Sequence, residues 1–279
     1  MHRKHLLPLT SALLAGTAFA QTAPTPQTTP PQRPLWELGA VGLGASQQAY
    51  PGSSARVNRA IALPYLIYRG PLFRAEPDGI GVRPVRTPTF EFDVSAAAAF
   101  GSRASDDPAR VGMPNIGTLV EAGPRLRWNL GEVAGGRLRA DFALRGVFDL
   151  SDSLAYKGAV FQPGLQWRRS FGDGWSTGAG ASLLFANDRL ASTFYEVAPA
   201  YATVGRPAYD ARSGLMATRL TLLVSKDINR DINVFGFARL DSVAGAANRA
   251  SPLVRQTTGH TLGIGVSWTW LRSKEPAAP

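Results

Sequence analysis

Between Gly259 and Trp270 the chain reads GHTLGIGVSWTW. In an extended strand this puts Leu262, Ile264, Val266, Trp268 and Trp270 on one face and Thr261, Gly263, Gly265, Ser267 and Thr269 on the other. A soluble strand hides its apolar row in a core. Here the opposite row is only Gly, Ser and Thr, and the apolar row ends in two aromatics of the kind that sit at a membrane interface, so the pattern is that of a closing strand in an outer-membrane β-barrel.

The alternation recurs. Leu138, Ala140, Phe142, Leu144, Phe148 and Leu150 oppose Arg137, Arg139, Asp141, Arg145 and Asp149. Val120, Ala122, Leu126 and Trp128 oppose Glu121, Gly123, Arg125, Arg127 and Asn129; Phe90, Phe92 and Val94 oppose Glu91, Asp93 and Ser95; Phe161, Leu165 and Trp167 oppose Gln162, Gly164, Gln166 and Arg168. One face suits lipid and the other water. Stretches near 36–46, 59–69, 175–186, 213–226 and 230–241 alternate less cleanly, and Pro64 and Pro124 each remove a ladder donor from a strand.

Connection lengths carry a second signal. With the N-terminus periplasmic, external connections fall at 46–58, 77–79, 101–116, 151–156, 187–212 and 242–258, and periplasmic ones at 69–71, 86–88, 130–136, 171–174 and 227–230. Apart from the tight turn at Pro77, long and short fall on opposite ends, as in bacterial barrels. The expected fold is all-β: an antiparallel up-and-down transmembrane barrel of twelve strands, or ten if the weak hairpin at 72–86 is not part of the wall. A secreted sandwich would also alternate, but it would not separate long from short connections in this way.

Before the barrel, Arg3 and Lys4, a short apolar run and Ala18-Phe19-Ala20 form a signal peptide over 1–20, with cleavage between Ala20 and Gln21. Its apolar run falls short of the ~20 residues of a spanning helix. Residues 21–35 are a Pro/Thr/Gln-rich periplasmic linker, 36–270 the barrel, and 271–279 a periplasmic tail. The net charge of +10 becomes +8 once Arg3 and Lys4 leave with the leader. The basic residues are scattered, which points to outer-membrane lipid and lipopolysaccharide as partners and away from nucleic acid. Cysteine is absent, which removes disulfides, thiolate metal sites and thiol nucleophiles.

The mature chain keeps a single histidine, His260, so a hydrolase built on histidine would have to use it, with Ser251, Thr257, Thr258 and Asp241 as possible neighbours. No metal site or cofactor is expected. The candidate lumen lining is Glu91, Asp93, Glu121, Arg125, Arg127, Arg137, Arg139, Asp141, Arg145, Asp149, Arg168, Arg219, Arg239 and Asp241. These rows either line a water-filled pore or cross-link into a filled interior.

Leu38-Gly39-Ala40-Val41-Gly42-Leu43-Gly44, then Tyr50-Pro51-Gly52-Ser53, then Leu63-Pro64-Tyr65 with Tyr68-Arg69-Gly70, resembles the opening of the MipA/OmpV family of MltA-interacting outer-membrane proteins. Glu121-Ala122-Gly123-Pro124, Phe194-Tyr195-Glu196-Val197 and Ser251-Pro252-Leu253-Val254 resemble further family segments, although Glu196 stands where the family usually has glycine. The resemblance implies a non-enzymatic scaffold that meets a periplasmic lytic transglycosylase and a penicillin-binding protein. A small-solute porin is the alternative, and a hydrolase using His260 the third reading.

Overall fold

The computed structural model describes residues 34–69, 73–76, 79–82 and 85–277. The expected signal peptide with its Ala20/Gln21 boundary, the expected linker up to residue 33, residues 70–72, 77–78 and 83–84, and the last two residues of the expected tail lie outside the described residues. The strands are β1 (Trp36–Gln48), β2 (Arg56–Arg69), β3 (Phe73–Glu76), β4 (Gly79–Val82), β5 (Val85–Arg86), β6 (Phe90–Ala99), β7 (Leu119–Val133), β8 (Gly136–Asp149), β9 (Ala155–Ser170), β10 (Trp175–Ala186), β11 (Gly214–Asp227), β12 (Ile232–Ser242) and β13 (Thr258–Arg272). One helix, α1 (Asp188–Tyr195), interrupts the connection between β10 and β11.

All described strands belong to one antiparallel sheet, ordered β4-β3-β2-β1-β13-β12-β11-β10-β9-β8-β7-β6-β5. The first and last long strands pair along their length, Val41 with Ser267 and Ala45 with Gly263, and β4 lies against β6 to bring the sheet round on itself. Ten strands, β1, β2 and β6 to β13, are long enough to cross the wall. Among the described residues, the weak hairpin at 72–86 contributes three strands of four, four and two residues.

The alternation read from the sequence is the fold's main organising force. Leu262, Ile264, Val266, Trp268 and Trp270 are all exposed on the outer surface, whereas Thr261 and Thr269 are buried on the inner one. A lipid-facing row of this kind needs no core, because the bilayer is its apolar solvent. The glycines of β13 admit large neighbours: the rings of Phe237 and Phe235 occupy the space a side chain would take at Gly263 and Gly265.

The two prolines sit where the ladder tolerates them. Pro64 lies on β2, whose second edge is bonded to β3 only at Tyr68 and Arg69. At Pro124 the β7–β8 pairing skips from Ala122 to Arg125. Strand β13 continues two residues past Trp270, to Arg272, where the side chain pairs with Asp231.

Candidate functional site

Inside the wall the charged rows pair across strands. Asp93 on β6 accepts two hydrogen bonds from Arg125 on β7, both 2.9 Å, and lies 3.4 Å from Arg127. Arg127 also reaches Glu91 at 3.0 Å. Arg145 on β8 bonds Glu121 at 2.8 Å and the Gln162 carbonyl oxygen at 2.5 Å. On the opposite arc Asp241 holds Arg219 at 2.7 Å and Arg239 at 3.3 Å. The register makes this possible, since Asp93 faces Arg125 and Arg219 faces Asp241 directly. Such bidentate, largely buried pairs fix geometry more than they add net stability.

The remaining candidates divide by height. Asp149 is buried at the external end, where it accepts from the Ser151 N–H at 2.9 Å. Arg137 and Arg168 face each other in register and are exposed near the periplasmic rim. Arg139 and Asp141 are half-buried and each has interaction partners.

Above these rows the external mouth is filled. Residues 49–55, 100–118, 187–213 and 243–257 fold together, and their apolar side chains join the inward residues at the tops of six strands. Tyr50, Ile116, Leu190, Phe194, Tyr195, Val197 and Leu253 pack in one cluster with Val57, Leu119, Val147, Val160, Leu184 and Met216.

The motif residues that carry the family resemblance are the fastenings of this cap. Tyr50-Pro51-Gly52-Ser53 makes a turn closed by the Ser53 N–H on the Tyr50 carbonyl at 3.0 Å, with Gly52 at φ +96 as such a Pro-Gly turn requires. The Tyr50 hydroxyl donates to the Leu253 carbonyl at 2.9 Å, and the Tyr195 hydroxyl donates to that of Pro51 at 2.9 Å. Ser251 donates to the Tyr195 carbonyl at 2.7 Å. Pro252 and Val254 flank Leu253, which is fully buried, and Val254 packs over Gly52. Glu196 needs no glycine, because its backbone is extended at φ −75, ψ 139.

Sequence reasoning missed two partners. Asp107 accepts from the Ser53 hydroxyl at 2.7 Å, and Arg110 donates to the Phe194 carbonyl at 3.2 Å while stacking over the Tyr50 ring. Both are buried charges in a stretch without alternation, so no periodic signal marks them. Burial holds the Tyr50 and Tyr195 phenols well above their ordinary range, with the Asp107 charge adding to the effect at Tyr50. Burial lowers the Arg110 guanidinium below its usual value.

His260 is placed away from this machinery. It is exposed, its Nε2 sits 3.1 Å from an Arg56 guanidinium nitrogen, and it pairs in register with the outward Leu240. Asp241 projects to the other side of the wall and is committed to Arg219 and Arg239.

An antiparallel wall with a lipid-facing apolar surface, charged inner rows and long loops at one end only is a bacterial outer-membrane β-barrel. Within that class, residues 39–270 match the family described as MltA-interacting protein MipA, and the chain belongs to that family. Its place is the outer membrane of a Gram-negative cell. Comparison with curated proteins gives no match. Among solved structures the chain is similar to an outer membrane channel from Pseudomonas putida F1, at 9% identity and TM-score 0.39, covering 85% of this chain and 96% of that one. It is also similar to the translocator domain of the autotransporter NalP from Neisseria meningitidis, at 10% and 0.38, covering 85% and 88%. The outer membrane protein OmpT of Vibrio cholerae matches at 7% and 0.36, covering 84% and 96%. Likeness at this level carries nothing about ligand or activity.

Proposed function

We propose that this barrel is a non-enzymatic scaffold of the cell envelope that holds murein-degrading and murein-synthesising enzymes at its periplasmic face. The observation that carries the reading is an asymmetry between its two ends. The external mouth is filled by a hydrogen-bonded core, whereas at the periplasmic rim the start and the end of the barrel chain are joined. Pro34 bridges Pro276, the Leu35 N–H donates to the Glu275 carbonyl at 2.8 Å, and the Ser273 N–H donates to that of Trp36 at 2.9 Å. The segments before and after the barrel therefore leave from one place, on the side where murein lies. The family's description as MltA-interacting supports a murein enzyme as the partner class.

The reading predicts that deleting 21–33 or 273–279 lowers capture of a periplasmic lytic transglycosylase by the purified protein while its heat-modifiable gel migration is unchanged. Undiminished capture by both deletions would defeat this docking route. A small-solute porin is the weaker alternative because the external mouth is filled, and a hydrolase on His260 is weaker still because, among the described residues, that side chain has an arginine and no carboxylate beside it.

A further inference from the structure

Strand β2 is apolar on both faces. Its register against β1 sets Leu63 opposite Val41 and Ile61 opposite Leu43, and Tyr65, on the same face, donates or accepts at 2.6 Å with the buried Thr269 hydroxyl. That face is therefore the inner one. Ala60, Ala62, Pro64 and Leu66 form the outer one. Two strands separating lipid from a charged lumen have no reason to carry Val41 and Leu43 of β1 and Ile61 and Leu63 of β2 inward, where Leu63 remains 52% exposed.

The same strand borders a low point in the wall. Among the described residues, the second edge of β2 pairs with a strand at Tyr68 and Arg69, and that of β6 at Glu91 and Phe92. Between them stand β3 and β4, of four residues each, too short to reach the external ends of their neighbours. Among the described residues no strand pairs with that edge of β2 from 56 to 67. Unpaired strand edges are not stable against lipid tails, so this edge lines a cleft reached by polar groups or water. Ala96 and Ala97 of β6 are exposed on its other side.

At the top of this notch is a cation. Arg59 shares the inner face with Ile61 and Leu63 and is exposed; among the described residues its side chain has no carboxylate partner and bonds the neighbouring Asn58 carbonyl at 3.3 Å. Just outside, Arg56 is exposed beside Ser46 and His260.

We propose that the notch between β2 and β6 is a lateral binding site for a membrane lipid, which passes an acyl chain sideways over β2 onto the inner patch Val41, Leu43, Ile61 and Leu63 while its anionic head group is held by Arg59. Charge complementarity selects the anionic head. The apolar lining on both faces of β2 gives the chain a continuous path out of the bilayer, and the filled external mouth leaves no comparable path from above. This inference is independent of the scaffold role.

The test uses the full-length folded protein in detergent and 11-(dansylamino)undecanoic acid as probe. Saturable enhancement and a blue shift of dansyl emission are expected, reduced roughly tenfold in Leu63→Arg. Arg59→Ala should weaken the apparent Kd by about five- to tenfold, and an uncharged monoacylglycerol of equal chain length should compete correspondingly poorly. Leu222→Ala, exposed on the outer face of β11 and outside this path, should bind as the parent does, and heat-modifiable migration verifies that each variant is folded. Non-saturable emission, or full binding by folded Leu63→Arg, overturns the proposal. So does a change of oligomeric state in Leu63→Arg with probe binding intact, which would make the edge a contact between copies.

Discussion

The hydroxyl of Tyr195, at the end of α1, donates to the carbonyl oxygen of Pro51 at 2.9 Å, across 144 residues of sequence. Both groups sit in the cap, and the bond ties the loop after β10 to the loop after β1. Removing the hydroxyl in Tyr195→Phe keeps the ring but leaves the carbonyl unsatisfied, at a cost of about 1–3 kcal/mol. Cleavage of the external loops by added protease in intact vesicles should speed up by roughly tenfold or more. The wall should not respond, so heat-modifiable migration stays as it is. Equal cleavage rates in both proteins would show that this bond does not hold the cap.

The same tyrosines give the cap an alkaline limit. When the cap is open, their phenols ionise near pH ~10. In the packed cap burial raises both Tyr50 and Tyr195 above that value, so the folded form keeps protons that the open form releases. The stabilisation is complete below pH ~10 and is lost as pH rises through the folded values. Loop protection should be constant from neutrality to about pH 9 and fall above ~10. Tyr50 and Tyr195 should be silent in a 295 nm titration until protection is lost. Ionisation of Tyr50 and Tyr195 near pH ~10 with the cap still protected would contradict the assignment.

Asp93, like Asp241 on the opposite arc, serves two arginines together, here Arg125 and Arg127. Asp93→Ala takes the shared carboxylate away from two largely buried guanidinium groups, Arg125 and Arg127, and should cost about 3–5 kcal/mol. The temperature at which the folded gel band converts to the unfolded one should drop clearly. Arg125→Ala should drop it less, because Asp93 keeps Arg127 and Arg127 keeps Glu91. A larger loss from Arg125→Ala would mean that the acid is not the centre of the network.

The wall was legible in the sequence because a strand that faces lipid on one side and a charged lumen on the other must alternate, and residues such as Phe142 against Asp141 or Ile264 against Gly265 record that directly. Strand β2 was less legible for a physical reason: apolar on both faces, with Ile61 and Leu63 inward and Leu66 outward, it has no period-2 contrast to detect. Helix α1 escaped too. It is only eight residues long, capped by Asn187 on the Leu190 N–H, and its buried Leu190, Ala191, Phe194 and Tyr195 derive their burial from three other loops. The resemblance did point to Tyr50-Pro51-Gly52-Ser53, Phe194-Tyr195 and Ser251 to Val254. That these segments touch one another depends on contacts between loops far apart in sequence, and no single segment encodes it.

Closure of the mouth can be measured as conductance. Leu190, Phe194, Tyr195 and Val197, all from the loop after β10, make up a large part of the core that fills it. Their removal would leave the paired rows Arg125–Asp93, Arg145–Glu121 and Arg219–Asp241 along the wall, where they bond neighbouring strands and need not span the lumen. In planar bilayers the complete protein should show no discrete channels. A variant with residues 188–211 replaced by a short Gly-Ser turn between β10 and β11 should open steps, with a weak anion preference because arginines outnumber acids on the inner rows. If the complete protein conducts as well as the loop deletion, the cap is not a seal and the porin reading regains its place. If neither conducts while both fold, the inner rows themselves obstruct the lumen, and the barrel is filled below the cap as well as at it.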